Sequence, residues 1–222
     1  MAIARASLIL ANQTASAERS VIFLRTDMRI ITIILWVASL SACSAALVPT
    51  TNNPDEKVAQ AKWLFEEKYR ALPAEKLLNE AKEIYIKENN NIGLAEFNRV
   101  YGLFLSSHAV NKYQSRYIEK GFLEPGVTYE NRYSKSIEYF KRTEQVYIEN
   151  KEHDSLTNIY LLMGFTYSKA GKVNESCLMF DKSIDENNIF SKNNPEAVIK
   201  LAGFPSYAAF ILDTKSKVGC KV

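Results

Sequence analysis

The chain of 222 residues is poor in glycine, proline, cysteine and histidine, with 8, 6, 3 and 2 residues of each type. So little glycine and proline argues against a turn-rich β fold, and no stretch alternates like a β-strand over a convincing length. The two histidines, His108 and His153, belong to no H-E-x-x-H spacing or Cys/His cluster. We therefore expect an all-α fold with no metal site and with surface or helix-capping histidines.

Catalytic and cofactor-binding signatures are also missing. The sequence contains no G-x-S-x-G, no P-loop and no G-x-G-x-x-G. No set of residues offers a nucleophile, a base and a group to orient them. We expect a protein that is not an enzyme, with no catalytic residues and no cofactor.

A strong excess of one charge is lacking as well. The formal net charge of +3 falls to +1, from 24 basic and 23 acidic residues, when only the chain from Cys43 onward is counted. Domains that bind nucleic acid usually show a marked basic excess or patch. The sequence therefore predicts no nucleic-acid partner.

The apolar run near the start is too short to be a membrane-spanning helix. It has 13 residues, from Ile30 to Ala42, whereas a helix needs about 20 to cross a bilayer. It follows Met28 and Arg29 and ends in small residues, which is the pattern of a secretory signal peptide. We expect translation to start at Met28, which leaves residues 1–27 as an upstream extension.

The end of this run carries a more specific signal, Leu40-Ser41-Ala42-Cys43. It resembles the lipobox of bacterial lipoproteins, in which a branched apolar residue and two small residues precede a cysteine. The resemblance implies that Cys43 is acylated and becomes the mature N-terminus. A buried helix ending in cysteine is the alternative, but it would not explain the aperiodic stretch that follows.

The lipoprotein resemblance divides the chain into four segments. Ser44 follows the cysteine where many inner-membrane lipoproteins have aspartate, which implies attachment to the outer membrane with the domain facing the periplasm. The predicted segments are an upstream extension (1–27), a signal peptide (28–42), a lipidated tether (43–53) and a helical domain (54–222).

Helical periodicity and capping residues predict most of the helices of that domain. Asn53-Pro54 reads as a helix start, and Asn194-Pro195 reads as another. The first predicted helix runs from Asn53 to near Leu72-Pro73, and a second continues from there to Glu88. Further helices are predicted from Ile92 to His108, from about Tyr133 to Tyr147, from Asp154 to Ala170 and from Val173 to Glu186. The last segment begins at Asn194 and is predicted to break at Gly203 and Pro205, before 207–212.

The stretch TNIYLLMGFTYSKAGKVNESCLMFDKSIDENN, residues 157–188, resembles a tetratricopeptide repeat (TPR). Gly164 and Ser176 occupy the small positions where the two helices of the repeat cross, and Gly171 occupies the turn. Phe180 stands at the aromatic place of the second helix. The resemblance implies a solenoid of helical hairpins, and the last apolar segment would suit a capping helix or, equally, a helix buried in a bundle.

A weaker match to the repeat pattern lies upstream, with Gly102 in a first helix and Ser136 and Phe140 in a second. The glycine and the serine are 34 residues apart where the repeat requires 12, so residues 109–130 are predicted to be an insertion. The insertion either shapes a binding surface or is a decorated loop without a partner. Its tyrosines, and those just beyond it, are either exposed anchors or packed beneath it: Tyr113, Tyr117, Tyr129 and Tyr133.

The TPR resemblance also implies a concave groove lined by the first helix of each repeat. Polar, charged and aromatic groups mixed in a groove suit a segment of a partner protein better than a metabolite. The predicted partner-binding residues are Glu96, Arg99, Leu103 and Ser106 in the weaker repeat, and Asn158, Leu161, Phe165 and Ser168 in the clear one.

Taken together, the resemblances predict an envelope-anchored adaptor or assembly factor, bound to the membrane through its N-terminal lipid and to a protein through its groove. One alternative is an immunity lipoprotein that neutralises an antibacterial effector, such as a phospholipase delivered by a type VI secretion system; a periplasmic hydrolase is disfavoured. Cys177 and Cys220 either form a disulfide or remain two thiols, because spacing alone does not bring their Cα atoms together.

Overall fold

The computed structural model describes residues 51–197 and 201–221, all within one compact unit, Thr50–Val222. The predicted signal peptide, the lipobox Leu40-Ser41-Ala42-Cys43 and most of the tether lie outside the described residues. Within the described ranges the chain is helical and has no strand, which confirms the all-α prediction. The helices are α1 (Pro54–Glu66), α2 (Ala71–Lys87), α3 (Asn91–Leu105), α4 (His108–Lys112), α5 (Gln114–Lys120), α6 (Arg132–Asn150), α7 (His153–Lys169), α8 (Val173–Asn193) and α9 (Tyr207–Val218).

The start of α1 follows from its cap, as the sequence predicts. The Asn53 side chain accepts hydrogen bonds from the backbone N–H groups of Asp55 (2.9 Å) and Glu56 (3.3 Å). Pro54 fills the first helical position, where no N–H is needed, and the two carboxylates face the positive end of the helix dipole.

Two of the predicted helix boundaries that differ from the structure lie at a proline. The first helix ends at Glu66, and Leu72 and Pro73 lie instead in the first turn of α2. A proline is tolerated there because the first N–H groups of a helix have no partner inside it. Pro195 was expected to open a helix, but the described residues 194–197 and 201–206 are not helical.

Asn194 does not open a helix at Pro195 because it caps the end of the preceding helix, α8. Its backbone N–H and its side-chain amide both donate to the carbonyl of Phe190 (2.9 Å each), which ends α8 seven residues beyond the predicted Glu186. The last helix begins only after Ser206, whose Oγ accepts a hydrogen bond from Ala209 N–H (3.1 Å). The third predicted helix also ends early, at Leu105, and His108 opens the short helix α4.

The longer helices pack in the order in which they follow one another in the chain. The neighbouring pairs are α1 with α2, α2 with α3, α3 with α6, α6 with α7, α7 with α8, and α8 with α9. Their buried faces form a core in which the fully buried aromatic side chains include Phe65, Phe97, Phe104, Phe140 and Phe180. Helices α4 and α5 lie in the predicted insertion between α3 and α6.

Candidate functional site

The hairpin of α7 and α8 is held together by small side chains on facing helices. The Ser176 hydroxyl donates to the carbonyl of Gly164 (2.8 Å), and the Ser183 hydroxyl donates to the carbonyl of Thr157 (2.7 Å). A Cβ at Gly164 would lie 2.5 Å from the ring of Phe180, so only glycine permits this approach. The two helices therefore cross at Gly164, as the repeat pattern predicts.

The hairpin of α3 and α6 has the same arrangement. The Ser136 hydroxyl donates to the carbonyl of Gly102 (2.6 Å), and the Thr143 hydroxyl donates to that of Ala95 (2.9 Å). A Cβ at Gly102 would lie 2.8 Å from the ring of Phe140. The offsets between the bonded residues are 34 and 48, against 12 and 26 in the other hairpin, so both are longer by the same 22 residues.

The first helices of the hairpins also contact one another. The Phe65 ring of α1 meets Phe104 of α3 edge to face, with centroids 5.6 Å apart. The Lys169 ammonium of α7 donates to the carbonyl of Ser106, just after α3 (2.7 Å). At the other end of α7, Leu161 and Phe165 pack against a cluster that includes Tyr207 and Ile211 of α9. Helices α1, α3, α7 and α9 thus form a row of contacts.

Helix α3 contributes four of the predicted partner-binding residues, and they differ in access. Arg99 donates two hydrogen bonds to the Glu96 carboxylate (2.5 and 2.7 Å), and both side chains are partly exposed. Leu103 packs against the cluster between α6, α7 and α8. Ser106 is buried, and its hydroxyl donates to the carbonyl of Leu103 (3.1 Å). The accessible part of this face is therefore the Glu96–Arg99 pair.

Helix α7 contributes the other four, of which two pack partly against the last helix. Leu161 and Phe165 are half-buried and pack against the cluster that includes α9, and the Phe165 ring meets Phe180 edge to face with centroids 5.4 Å apart. Asn158 is exposed, and Ser168 is half-buried. Of the eight residues Ser106 is buried, and the polar ones that keep accessible surface are Glu96, Arg99, Asn158 and Ser168.

Two buried glutamates fasten the insertion to the helices, and sequence reasoning missed both. The Glu75 carboxylate of α2 accepts hydrogen bonds from Leu123 N–H (2.7 Å) and from the Tyr101 hydroxyl (3.1 Å). Burial raises the pKa of Glu75 above its ordinary value, and these two donors oppose that rise. In the sequence Lys76 follows Glu75 directly, so no local pattern marks this glutamate as buried.

The second glutamate reaches out from the insertion itself. The Glu124 carboxylate accepts two hydrogen bonds from the Lys82 ammonium (2.6 and 2.8 Å) and one from the Tyr139 hydroxyl (2.9 Å). Burial, together with the nearby Glu124 carboxylate, raises the pKa of Tyr139. Because Lys82 lies on α2 and Tyr139 on α6, this network ties the insertion to both helices.

Aromatic packing completes the attachment of the insertion. Tyr117 is buried and stacks on Phe122 with centroids 4.1 Å apart. The Arg132 guanidinium lies between the rings of Tyr129 (3.7 Å) and Tyr133 (4.1 Å). The sequence leaves two alternatives for the tyrosines, exposed or packed beneath the insertion. Tyr117 is packed, while Tyr113, Tyr129 and Tyr133 are half-buried.

The remaining candidate residues have structural surroundings. Cys177 and Cys220 form a disulfide that joins α8 to the end of α9, one of the two alternatives that the sequence leaves open. His153 opens α7 and its Nδ1 lies 2.6 Å from a Glu186 carboxylate oxygen, and His108 is exposed at the start of α4. No group of three or more potential metal ligands occurs among the described residues.

Compared with protein-family models, curated proteins and solved structures, the chain matches none of them. In the part of the chain that the structure describes, no helix combines the length and the apolar character needed to cross a membrane. The reading of function therefore depends on the residues and contacts of this chain.

Proposed function

We propose that this chain is a lipid-anchored, non-catalytic lipoprotein of the bacterial outer membrane, facing the periplasm, whose TPR-like hairpins bind a segment of a partner protein. The observation that carries the proposal is the duplicated helix crossing: glycine, serine hydroxyl and phenylalanine ring meet in the same way at Gly102 and at Gly164. Repeats of this kind expose a continuous row of first helices, and such rows commonly serve as binding surfaces.

The row of contacts among first helices supports this reading. Stacked repeats bury one continuous core and need a terminal helix that covers the last apolar face. Helix α9 packs against Leu161 and Phe165 in that manner, and the disulfide to Cys177 joins its end to α8. A partner segment would then meet the open portion of the row at Glu96, Arg99, Asn158 and Ser168.

The chemistry of this open portion favours a peptide over a small metabolite. Arg99 and Glu96 offer paired charges, and Asn158 offers both a donor and an acceptor. These groups lie on two separate helices rather than converging on one point. An extended segment with its own polar and charged side chains would match that spread.

The anchor is tested by replacing Cys43 with alanine and fractionating the producing cells. Acylation at Cys43 predicts that the wild-type protein is found with the membranes and the variant is released. Mass analysis of the wild-type N-terminus should show a lipid-modified cysteine. Retention of the Cys43→Ala variant in the membrane fraction would contradict the anchor.

The binding role is tested by cross-linking the lipidated protein in its native cells, purifying it in mild detergent and identifying stoichiometric partners by mass spectrometry. A periplasmic or outer-membrane complex would support an adaptor, whereas a delivered toxin would assign the immunity role instead. Asn158→Arg should reduce the recovery of the partner, and Gln145→Arg, at an exposed site of α6, is the matched control. Recovery of no protein partner would contradict the proposal.

A further inference from the structure

Two exposed aromatic side chains stand beside lysines at one end of α1. Trp63 is 49% exposed in the last turn of this helix, and Tyr69 is 44% exposed in the turn before α2. The Lys68 ammonium lies 4.9 Å from the centroid of the Trp63 ring, and the Lys112 ammonium lies 6.0 Å from that of Tyr69. We call these four residues, together with His108, whose ring meets Tyr69 edge to face at 5.5 Å, the aromatic corner.

The backbone of Tyr69 makes the corner unusual. Tyr69 has φ +52°, in the left-handed region, and Arg70 N–H after it donates to the carbonyl of Leu64 (2.9 Å) to close the helix end. Other helix ends of this chain close with a bond back over five residues instead of six, and they carry Asn89, Lys151, Gly171 and Gly219 in the left-handed position.

A bulky aromatic residue is disfavoured in this conformation, where glycine and asparagine are the usual choices. Burial does not explain it, because much of the Tyr69 side chain remains in solvent. Backbone strain of this kind tends to be kept where the side chain has a function. The observed outlier thus points to a role for the exposed ring.

The charges around the corner are predominantly basic. Lys68 and Lys112, which lie over the two rings, are both exposed. The exposed acidic groups nearest in sequence are Glu66, which pairs with Lys62 at 3.9 Å, and Glu67. The surface therefore favours an anionic counterpart over a cationic one.

We infer that the aromatic corner is a membrane-contacting surface that places Trp63 and Tyr69 at the headgroup level of an anionic phospholipid layer. Tryptophan and tyrosine prefer the boundary between water and lipid, and lysines beside them bind lipid phosphates while their stems cover apolar surface. Trp63 and Tyr69, each with a lysine over its ring, place interfacial aromatic side chains and phosphate-binding lysines on one surface.

The corner also lies within reach of the proposed anchor, and this part of the inference rests on the proposed function. Trp63 is nine residues from the start of α1, a distance of about 14 Å along a helix. The ten residues from Cys43 to Asn53 span at most about 36 Å. A domain tethered at Cys43 can therefore lie against the same membrane with this corner.

The corner is tested with the segment Thr50–Val222, the compact unit that contains every described helix. The chain has two tryptophans, Trp36 and Trp63, so this segment keeps Trp63 as its single tryptophan, which is excited selectively at the red edge of the tyrosine absorption. It is mixed with vesicles of phosphatidylcholine alone or of equal parts phosphatidylcholine and phosphatidylglycerol. We expect a blue shift of Trp63 emission and co-sedimentation with the anionic vesicles, and neither with the neutral ones.

Charge variants sharpen the result. Lys68→Glu and Lys112→Glu should each lower the partition coefficient about five-fold or more, the effect of one basic side chain near an anionic surface. Lys172→Glu, at an exposed site in the turn before α8, is the matched control and should change it less.

Tyr69→Gly separates a binding role from a structural one. Glycine relieves the left-handed backbone, so the variant should melt at a higher temperature while it partitions more weakly. Lys151→Gly is the matched control: it relieves the same conformation at another helix end, and should raise the melting temperature without changing partition.

Three outcomes would overturn the inference: no spectral shift with anionic vesicles, an equal shift with neutral ones, or unchanged partition of Tyr69→Gly. Binding of poly-glutamate in place of vesicles would assign the corner to an acidic protein segment and would also overturn it. Because the segment lacks Cys43, these results are independent of whether the proposed anchor exists.

Discussion

The hairpins α3/α6 and α7/α8 show what fixes a helix crossing in this protein. One is closed by a short turn at Gly171, and the other is interrupted by the insertion that holds α4 and α5. Both have a serine hydroxyl bonded to a glycine carbonyl, and a phenylalanine ring against that glycine. The crossing is therefore set by side chains on the facing helices and not by the length of the connection.

The two hairpins differ in the additional contacts that stabilise them. Buried glutamates and stacked aromatics hold the insertion against α2, α3 and α6. A disulfide and the apolar face of α9 close the other hairpin. An insertion in a loop adds little closure entropy by its length alone, and here its own contacts order it.

The largest expected effect comes from removing the ring at either crossing. Phe140→Ala and Phe180→Ala delete side chains with no exposed surface and should each lower the free energy of unfolding by about 3–5 kcal/mol. Denaturant unfolding measures both, with Leu178→Ala at an exposed site as the control. A much smaller loss for Phe140→Ala would show that the two crossings are not equivalent.

Breaking the disulfide should affect one hairpin and spare the other. The bond closes a loop of 43 residues, and Cys177→Ser should lower the free energy of unfolding by about 2–4 kcal/mol. Hydrogen exchange should become faster in α9 and stay unchanged in α3 and α6. Faster exchange throughout the molecule would mean that the two hairpins do not respond separately.

Removing a crossing hydroxyl should have a smaller effect, equal in the two hairpins. Ser136→Ala and Ser176→Ala each leave a buried glycine carbonyl without its side-chain donor, at a cost of roughly 1 kcal/mol. Because the two sites share no bonded partner, the losses should add in the double variant. Strong non-additivity in denaturant unfolding would argue for a single coupled unit.

The smallest effect is expected from the pH dependence of the insertion. Burial raises the pKa of Glu75, so its contribution to stability is complete below the unfolded pKa and is lost as the pH rises through the folded pKa. Glu75→Gln keeps an acceptor for Leu123 N–H but does not ionise. The wild type should lose stability relative to this variant as the pH rises above the ordinary glutamate pKa of about 4, and a constant difference would contradict the burial argument.

Local signals in the sequence predicted a helix well where its capping residue bonds to that helix and to no other. Asn53 and Pro54 start α1 as expected, and the Gly164, Ser176 and Phe180 pattern gave the last long hairpin. The prediction failed at Pro73 and Pro195, because a proline marks a helix start and a helix end equally well.

The candidate site was less predictable, because its accessibility depends on contacts between distant residues. Leu161 and Phe165, which the sequence predicts in the groove, are half-buried and pack against the cluster that includes α9. The attachment of the insertion depends on bonds across 48 residues for Glu75 and 42 residues for Glu124, which no local periodicity reveals. The exposed Tyr69 was missed for a related reason: its left-handed backbone is visible only in the fold.

The measurement that tests the central claim most directly is photo-cross-linking in native cells, with a photoreactive residue at position 158 or at position 145 of the full chain. A protein-binding row of first helices predicts a discrete cross-linked partner from position 158 of α7, in the membrane fraction, and none from position 145 of α6. No adduct at position 158, or the same adduct from both positions, would contradict the account.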